Sequence, residues 1–494
     1  MSTTRNSNAE NLQADILVIG GGGAGLTAAI AAAEAGAKNI IVLEKAPSLG
    51  GNAGISHGIF AVESPAQKRL GIKISGDEVF KEKMESANWR VDPRLVRVII
   101  NKSGDIIRWL EEEGLKFNSI LEFVVEGEGP KVFHMLGAGA SGAVGHGLAE
   151  TLIKGCQDRG VQLLCETAAR KILIDEKGEV NGVLATTKDK ELKITAKSVI
   201  IATGGFGENK EMINKYFPSH GDIFCNSLPQ MTGDGILMAA EAGAVIGDQL
   251  AILLIGPQHY QGAGSLDILV RRPEVILVNK NGERYVDESL GLHHMDMASN
   301  CLSRQPGKIC YALIDSKVKR DMIQKREVLS GIEGQKGNNG AWMDELENDF
   351  QSDAAEGTAK VADSWEEIAE WMGAKPEALR ATVEQYSSFC DKGYDADFLK
   401  EERYLLPLRT PPYYAVLGRQ GCDTTVGGIK INHRMEVINK QDSLISGLYA
   451  VGDNASGWEF IDYSFRSAGA ALCFALCSGY IAGENAAKYV LGNK

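Results

Sequence analysis

Residues 15–44 constrain the fold more than any other stretch of the chain. An apolar strand, a glycine-rich turn and an alanine-rich helix follow one another here, and residues 40–43 form a second apolar run. Gly20, Gly22 and Gly25 give the GxGxxG spacing. In that motif the glycines allow a tight turn, close approach of the backbone to a pyrophosphate, and close packing of helix on strand. The pattern predicts that an α/β, Rossmann-like dinucleotide-binding unit opens the chain.

The second strand is followed by Glu44, and this acid strengthens the interpretation. A carboxylate at that position accepts hydrogen bonds from an adenosine ribose and disfavours a 2′-phosphate. The N-terminus of the preceding helix offers free N–H groups and a positive dipole end to phosphates. A glycine-rich loop in some other α/β protein is the plainer alternative, but it does not require strand, turn, helix, strand and acid in this order.

Length and charge narrow the class of protein. A chain of 494 residues is long enough for two or three domains. Its net charge of -13 disfavours nucleic acid and anionic membranes as partners. Residues 1–12 lack the apolar core of a secretory signal, and no apolar run approaches the ~20 residues that a membrane span requires. Nine cysteines occur without a CxxC pair, so neither a zinc site nor a disulfide framework is indicated. We therefore expect a cytoplasmic protein without a metal.

Four further motifs place glycine at the end of a strand or the start of a helix. They are the loop 48–52, the turn 202–205 after a buried apolar strand, the turn 232–235 before a helix, and Gly452-Asp453 after a strand. Such strand ends lie where doubly wound sheets bind ligands. The last strand and the alanine-rich helix 467–490 repeat the pattern of the first unit, in which an apolar strand and a glycine turn precede an alanine-rich helix. This repetition predicts a cofactor domain that is discontinuous in sequence. Residues 331–356 are polar and glycine-punctuated, so we expect a surface excursion there.

These motifs, in this order, resemble the fumarate reductase/succinate dehydrogenase flavoprotein family, which includes ketosteroid dehydrogenases and other ene-reductases. The resemblance runs from about Asp15 to the C-terminus. It implies an α/β fold with a doubly wound, Rossmann-like FAD-binding domain and an inserted α+β capping domain. The implied division is 12–245 for the first part of the FAD-binding domain, 246–420 for the capping domain and 421–494 for the second part.

In this family the matching motifs contact FAD, so the resemblance implies the cofactor contacts of this chain. They are Gly20, Gly22, Ala24, Gly25, Glu44, Lys45, Ser48, Gly50, Gly51, Asn52, Ala53, Gly54, Ala202, Thr203, Gly204, Asp234, Gly452, Asp453, Ser467 and Ala468.

The resemblance also bears on how the flavin is held and reduced. The histidine that links flavin covalently in succinate dehydrogenases aligns with Asn52 and not with His57, so we expect non-covalent FAD. His57 either contacts the cofactor or substrate or is structural. The sequence has no second glycine-rich nucleotide motif and no cysteine pattern for haem or iron–sulfur carriers. NAD(P)H and a separate reductase therefore both stay open as the electron donor.

Dicarboxylate reductases of the family use an arginine proton donor, fed by a glutamate and a second arginine. The resemblance places the second arginine at Arg271 but puts Ile268 at the glutamate position. Aligning Asp315-Ser316 with the Asp-Ser of the family puts Val318 at the donor position. The nearby cations Lys317, Lys319 and Arg320 leave other registers open. A carboxylate-binding histidine falls on Thr424, and only the last clamp arginine survives, as Arg466. Each unpaired charge in a closed site costs about 3–5 kcal/mol, so these replacements argue against a dicarboxylate.

Aromatic residues cluster around the surviving arginine. Trp458, Phe460, Tyr463 and Phe465 suit an aromatic or polycyclic substrate with one carbonyl or phenolic oxygen, although they alternatively pack the junction between domains. Arg466 is the candidate for stabilising an enolate oxygen, with a salt bridge within the fold as the alternative.

Two further residues, Tyr463 and Asp423, are candidate proton donors. Together with Arg271 and Arg466 they complete the predicted catalytic set.

Three function classes stay open at this point. The first is an FAD-dependent oxidoreductase acting on CH–CH groups, which exchanges hydride at flavin N5 with a carbon near a carbonyl in a hydrophobic, steroid- or isoflavonoid-like ketone or enone. The second is a dicarboxylate reductase with an altered clamp. The third is a flavoprotein that carries electrons without its own organic substrate.

Overall fold

The predicted strand, glycine turn and helix open the chain in the computed structural model, which describes residues 10–121, 131–137, 144–261, 264–327, 338–462 and 468–492. Its strands are β1 (Glu10–Ile19), β2 (Ile40–Leu43), β3 (Gly58–Phe60), β4 (Phe117–Leu121), β5 (Phe133–Leu136), β6 (Gln162–Leu164), β7 (Ala168–Ile174), β8 (Val180–Thr186), β9 (Glu191–Ile201), β10 (Phe224–Cys225), β11 (Ile246–His259), β12 (Ile276–Val278), β13 (Ile309–Asp315), β14 (Ala359–Ala362), β15 (Tyr413–Ile429), β16 (Glu436–Ile438), β17 (Leu444–Ala450) and β18 (Ile461–Asp462).

The α-helices are distributed between and after these strands. They are α1 (Gly23–Glu34), α2 (Pro65–Arg69), α3 (Gly76–Ser86), α4 (Pro93–Glu112), α5 (His146–Asp158), α6 (Lys210–Tyr216), α7 (Asp234–Glu241), α8 (Ser265–Leu269), α9 (Leu290–His293), α10 (Met295–Ser303), α11 (Ser316–Lys325), α12 (Leu346–Glu356), α13 (Trp365–Met372), α14 (Pro376–Lys392) and α15 (Ala470–Val490). Short 3₁₀ turns join several of them, including 51–55 after the first glycine-rich loop.

The N-terminal strand is central in an eight-stranded sheet of order β16-β17-β9-β1-β2-β6, to which β7 and β8 attach through β9. Parallel pairing joins β6, β2, β1, β9 and β17. Ile16 to Ile19 are all buried, as expected for a central parallel strand covered on both faces. This is the doubly wound arrangement that the sequence predicts.

The C-terminal helix packs against the first helix and closes the unit. A Cβ placed on Gly479 would stand 2.3 Å from the Ala24 carbonyl oxygen, and one on Gly483 would stand 2.3 Å from that of Ala28. The helices therefore approach through their backbones. This contact brings the last 25 residues of the described chain onto the first strand and helix, so the unit is discontinuous in sequence.

A second, seven-stranded sheet has the order β12-β13-β15-β11-β18, with β10 and β14 also paired to β15. It carries its own hydrophobic core, separate from the core of the first sheet. The predicted boundary between residues 420 and 421 falls inside β15, and β10 pairs with the same strand. We retain the division into FAD-binding and capping domains as a proposal.

Four large apolar side chains between residues 338 and 350 belong to this second core: Trp342, Met343, Leu346 and Phe350. The segment therefore packs on the core and is not the surface excursion that we expected, while residues 331–337 lie outside the described ones. No helix within the described ranges is long and apolar enough to cross a membrane. The same residues contain no group of His, Cys, Asp and Glu side chains arranged to hold a metal ion.

Candidate active site

A pocket opens at the carboxyl ends of the central parallel strands, beside the N-termini of α1 and α15. Each of the six predicted motifs contributes at least one residue to its lining. The motif residues on the lining are Gly20, Gly22, Ala24, Glu44, Gly51, Asn52, Ala202, Thr203, Gly204, Asp234, Gly452 and Asp453. Ligands of doubly wound sheets bind at this edge, so the pocket is the candidate active site.

The three glycines of the first motif have three different steric roles. Gly20 has a φ of +112°, and an added Cβ would stand 2.3 Å from the Ala202 carbonyl oxygen. An added Cβ on Gly25 would stand 1.9 Å from the Gly20 carbonyl oxygen, where helix and turn meet. At Gly22 nothing lies closer than 3.9 Å, and this residue lines the pocket. A methyl group there would occupy the cradle itself, which fits a site for a closely approaching phosphate.

Glu44 is fixed at the end of β2 by the backbone. Its carboxylate accepts hydrogen bonds from the Gly21 N–H at 2.9 Å and the Ala46 N–H at 2.8 Å. Two carboxylate oxygens have about four acceptor sites, so Glu44 retains capacity for ribose hydroxyls. The side chain is 9% exposed and lines the pocket. Its position fits the predicted ribose contact.

Lys45 does not present a free positive charge to the pocket. Its ammonium donates to Thr232 Oγ1 and Asp234 Oδ2, both at 2.7 Å. Burial raises the pKa of Asp234, but the hydrogen bonds from Lys45 and Thr232 outweigh burial and hold that pKa below its usual value. The turn 232–235 and the loop after β2 are thereby joined across the pocket.

Asp453 gives the most direct indication of a bound polyhydroxyl ligand. Its Oδ2 accepts a hydrogen bond from the Thr424 hydroxyl at 2.9 Å, whereas the buried Oδ1 has no partner among the described residues. Burial raises the pKa of this carboxyl to about 7. A buried polar atom without a partner is rare in folded proteins. A ligand hydroxyl at this point of the pocket would satisfy it, as the ribityl chain of FAD would.

The turn after β9 is held by a residue that the sequence analysis did not single out. Asn454 Oδ1 accepts from the Thr203 N–H at 2.7 Å, and its amide donates to the carbonyl oxygens of Ile201 and Val451. Asn454 is fully buried. It therefore ties the strand ends of β9 and β17 together beneath the pocket, and its place directly after Gly452-Asp453 is the signal that could have found it.

The side of the pocket facing the second sheet is polar but carries no described cation. Asp423 lines it, and Asn226 Nδ2 donates to Asp423 Oδ1 at 3.0 Å. Thr424, also on the lining, is engaged with Asp453. Asn226 was missed by the sequence analysis because nothing in its local sequence marks it.

A buried acid–arginine pair lies in α8 and the turn that follows it. Arg271 pairs with Asp267, one turn earlier along the chain, and its Nη1 lies 3.7 Å from Met295 Sδ. Met295 belongs to the core of the first sheet, whereas Ile268 and Val270 belong to the core of the second. Arg271 therefore lies where the two cores meet.

The pair continues towards a histidine and a further acid. The backbone N–H of His259 donates to Asp267 Oδ1 at 3.2 Å, and His259 Nε2 lies 3.3 Å from Asp353 Oδ2. The His259 side chain is 1% exposed, and that of Asp353 is 15% exposed. Burial raises the pKa of Asp353. A row of ionisable groups thus runs from near the surface to Arg271.

Comparison with known proteins agrees with this geometry. The pattern of the family described as FAD binding domain matches residues 15–469. The chain belongs to this family. A vinyl phenol reductase of Lactiplantibacillus plantarum is 30% identical over 96% of this chain and 96% of its own length. A cytochrome-type fumarate reductase of Shewanella frigidimarina is 31% identical over 96% of this chain and 77% of its own length.

Solved structures give the same result for the fold. The open conformation of a flavocytochrome c3 fumarate reductase superposes with a TM-score of 0.77 at 28% identity, covering 97% of this chain and 79% of that one. A 3-ketosteroid Δ4-(5α)-dehydrogenase from Rhodococcus jostii superposes with a TM-score of 0.74 at 23% identity, over 99% of both chains. The predicted fumarate reductase-like fold, the family and its FAD cofactor are confirmed, and the chain is an FAD-dependent oxidoreductase.

Within this flavoprotein, the predicted cofactor residues fall into three groups. Lys45, Ala53 and Ala468 join the twelve motif residues on the pocket lining. Gly25, Ser48, Gly50 and Gly54 are not on the described lining. The Gly50 N–H donates to the Gly21 carbonyl oxygen at 2.8 Å and fixes the loop against the turn. Ser467 lies outside the described residues.

Of the four predicted catalytic residues, two lie within the described part of the chain and two lie outside it. Asp423 is on the described pocket lining, whereas Arg271 is not on it and is buried beside Asp267. Tyr463 and Arg466 lie outside the described residues, so their roles stay predictions. Asp267 lies next to Ile268, the position that the resemblance gives to the relay glutamate, and pairs with Arg271; its signal in the sequence was an acid four residues before an arginine.

Val318 and two of the aromatic residues have packing roles. Val318, which the resemblance puts at the donor position, lies in the core of the second sheet, and its N–H donates to the Asp315 carboxylate that caps α11. Trp458 stacks on Phe474 with ring centroids 5.7 Å apart, and Phe460 packs under Arg90. These two aromatic residues therefore pack between structural elements, which was the alternative to a substrate role.

Proposed function

We propose that this flavoprotein reduces, or dehydrogenates, a carbon–carbon bond next to a carbonyl or phenolic group in a hydrophobic cyclic substrate, steroid- or isoflavonoid-like. The observation that carries the proposal is the charge of the pocket. Glu44, Asp234 and Asp453 lie at the cofactor end of the described lining, whereas Asp423 and Thr424 lie on the face towards the second sheet. Lys45 is the one lysine or arginine on that described lining, and it is paired with Asp234. A dicarboxylate at the substrate face would therefore meet Asp423 without a described cation to balance its charges, a cost that a neutral ketone or phenol avoids.

The relatives support action on carbon–carbon double bonds and divide on the substrate. The fumarate reductase of Shewanella frigidimarina is named for a dicarboxylate, and the vinyl phenol reductase of Lactiplantibacillus plantarum for an aromatic alkene that carries no carboxylate. The latter matches over nearly the full length of both chains. It favours the neutral aromatic class for this chain.

Bound FAD would supply hydride exchange at flavin N5. In this proposal Glu44 and Asp453 hold its hydroxyl groups, and the N-terminus of α15 faces it with the positive end of the helix dipole. Asn226 orients the Asp423 carboxylate at the face where substrate would lie. We assign Arg466, the clamp arginine that the resemblance retains, to the developing enolate oxygen, and Tyr463 or Asp423 to the proton at the α-carbon.

We further propose that Asp267 and Arg271 manage a proton on the capping side. In this proposal the carboxylate of Asp267 accepts or delivers the proton, and Arg271, which is paired with it, positions Asp267. Asp267→Asn should lower kcat by about 10² or more with a smaller change in KM, because a general acid contributes about 10²- to 10⁴-fold.

The controls for this variant separate proton transfer from folding. Asp267→Glu keeps the charge and should recover much of the rate. Asp321→Asn removes a partly exposed acid paired with Lys317 and should leave kcat unchanged. A full rate in Asp267→Asn would exclude the role.

One experiment tests the proposed substrate class. The holoenzyme is reduced anaerobically and mixed with enones, steroids, isoflavonoids, vinyl phenols and dicarboxylates, and flavin reoxidation is followed by absorbance. We expect a cyclic enone or phenolic alkene to reoxidise the flavin at least tenfold faster than fumarate. Faster reoxidation by fumarate would establish the altered dicarboxylate clamp instead, and no reoxidation by any organic compound would favour an electron carrier.

Non-covalent attachment of FAD is part of the same proposal. Asn52 lines the pocket and its Oδ1 accepts a hydrogen bond from the Leu228 N–H at 3.1 Å, but an amide is not a nucleophile that links flavin. Acid precipitation should release the yellow colour into the supernatant. Colour that stays in the pellet of the wild type, and leaves it in His57→Ala, would show a covalent link through His57, which also lines the pocket.

A further inference from the structure

Two cysteines face each other beside the pocket, outside all the roles assigned above. Cys225 and Cys422 are directly paired residues on the adjacent parallel strands β10 and β15. Neighbouring strands lie about 4.8 Å apart. That spacing is within the range of about 4.4 to 6.8 Å between Cα atoms that a disulfide spans. The backbone therefore already holds the two residues at bridging distance.

The surroundings make the two thiols chemically unequal. Hydrogen bonding from the Cys422 thiol lowers the pKa of Cys225, and Ser227 Oγ, 3.2 Å from Cys225 Sγ, adds to this effect. Cys225 is partly exposed, whereas Cys422 is fully buried. The pKa of Cys422 is raised, mainly by its hydrogen bond to Cys225 and then by burial. Cys225 thus has the features of an attacked, solvent-reached thiol, and Cys422 those of a resolving thiol.

A second pair of touching thiols provides an internal contrast. Cys473 and Cys477 lie one turn apart on α15, with their sulfur atoms 3.8 Å apart. Both are fully buried, and the helix fixes their backbones. An oxidant does not reach them without unfolding the helix. The two cysteines are therefore close together in both pairs, but a dissolved oxidant can reach only the pair that includes the partly exposed Cys225.

We infer that Cys225 and Cys422 form a reversible disulfide, making the rim of the pocket a redox-sensitive modification site. Hydrogen peroxide is the oxidant. The Cys225 thiolate attacks one peroxide oxygen, the O–O bond breaks, and the leaving hydroxide takes up a proton as water. The Cys422 sulfur then attacks the sulfenic sulfur, the S–O bond breaks, and the Cys422 proton leaves with the hydroxide as a second water.

The site is coupled to the pocket through the next residue on each strand. Asn226 and Asp423 follow the two cysteines, hydrogen-bond to each other at 3.0 Å and line the pocket. The Asn226 N–H also donates to the Cys422 carbonyl at 2.7 Å. A disulfide between Cys225 and Cys422 would cross-link the two strands that carry this contact, and any adjustment of their spacing would reach Asn226 and Asp423. β10 has two residues, so it can shift more readily than the long β15.

The test oxidises the intact holoenzyme with hydrogen peroxide. Remaining thiols are blocked with an alkylating reagent, and the protein is digested without reduction for mass spectrometry. We expect a peptide pair joined through Cys225 and Cys422, lighter by two hydrogens than the separate peptides, that dithiothreitol separates again. In the same digest Cys473 and Cys477 should be unlinked and carry the alkyl group only after denaturation.

Two variants make the outcome decisive. Cys225→Ser should abolish the joined peptides and leave Cys422 as a free thiol. Ser227→Ala should slow formation of the disulfide severalfold, because it removes a hydrogen bond to the attacking sulfur. Conversion of Cys225 to sulfinic acid while Cys422 stays a thiol would overturn the inference. So would linkage of Cys225 to other cysteines at the same rate as to Cys422.

Discussion

The cradle at the end of the first sheet and the buried charges of the second sheet differ in what holds them in place. In the cradle, defined by Gly20, Gly22, Gly25, Glu44 and Asp453, backbone carbonyls and N–H groups lie against one another and side chains are few. Any added atom at Gly20 or Gly25 meets backbone. Steric constraint of this kind is visible in a sequence, because only one residue type satisfies it.

The second sheet is held by charges that neutralise one another. Arg284 donates to Glu288 and Asp395 at 2.9 Å, and Lys400 lies 3.2 Å from Glu288. All four side chains are at most 4% exposed. Burial raises the pKa of Glu288, but Lys400 and Arg284 outweigh burial and hold it below its usual value. Any of several residue sets can balance charge in this way, so the pattern is not fixed by sequence position.

The difference predicts that the two regions fail differently when they are altered. A substitution in the cradle should act through collision, and one in the charge cluster through an unpaired ion. A substitution in the cradle should unfold the protein if the new atom meets backbone, and should weaken FAD binding if the new atom enters the pocket. A substitution in the charge cluster should lower the free energy of unfolding and leave the cofactor site intact.

The largest effect is expected for Gly25→Ala. Its new Cβ would stand 1.9 Å from the Gly20 carbonyl oxygen, where neither backbone can yield. We expect the apoprotein to lose at least about 5 kcal/mol of unfolding free energy in urea titration, the extreme of single-substitution effects.

Gly22→Ala is the matched control for this collision. Nothing lies closer than 3.9 Å to its added Cβ. The apoprotein should keep its stability within about 1 kcal/mol. FAD affinity, measured by fluorescence titration, should fall at least tenfold because the methyl group occupies the cradle. Equal losses of stability in the two variants would contradict the assigned steric roles.

Lys400→Met should rank second. It leaves Glu288 buried without one of its two cations, and breaking a buried pair costs about 3–5 kcal/mol. The loss should appear in urea unfolding, while the FAD dissociation constant changes little because the cluster is not on the pocket lining. Lys317→Met, which breaks a partly exposed pair with Asp321, should cost about 0–1 kcal/mol. A similar loss of unfolding free energy for both variants would show that burial does not increase the cost of breaking the Lys400–Glu288 pair.

The same contrast explains which parts the sequence could predict. The cradle was found because Gly20 needs a positive φ and because Glu44 must follow a strand. The donor position near Val318 could not be fixed from the sequence, because the Asp315-Ser316 pair that suggested the register is also an ordinary helix start, and Asp315 caps α11. Asp267 was missed because a charge pair needs only a partner within reach, and an offset of one residue still provides it.

Composition also misled the interpretation of residues 331–356. The segment is polar overall, yet Trp342 and Phe350 insert into the core of the second sheet. A few large apolar side chains at suitable spacing bury a helix whose other residues face solvent. Average polarity hides that spacing, so the partly buried helix α12 could not be distinguished from a surface loop.

Asp453 should make the stability of the apoprotein depend on pH. Burial raises its pKa from 3.8 to about 7, so the folded state binds the proton more tightly than the unfolded state. Stability is therefore unaffected below about pH 4 and falls as pH rises towards 7, by at most about 4 kcal/mol. Urea unfolding of wild type and Asp453→Asn at several pH values measures this difference.

The variant isolates the contribution of this carboxyl from other titrating groups. Asp453→Asn has no charge to bury, so its advantage over the wild type should be small at pH 4 and reach its maximum above pH 7. A constant difference across this range would show that Asp453 does not titrate there. Added FAD should reduce the difference if its hydroxyl groups satisfy the buried Oδ1 atom.

The smallest effect is expected at Thr424, whose hydroxyl donates to Asp453 Oδ2 at 2.9 Å. This hydrogen bond favours the charged carboxylate and lowers the pKa of Asp453 against the effect of burial. Thr424→Val removes the donor at nearly constant volume. The pH at which the stability difference reaches its maximum should therefore move upward, by about one unit for a hydrogen bond of about 1.4 kcal/mol. Thr424→Ser keeps the hydroxyl and should leave that pH unchanged. If that pH were also unchanged in Thr424→Val, burial alone would set the pKa of Asp453.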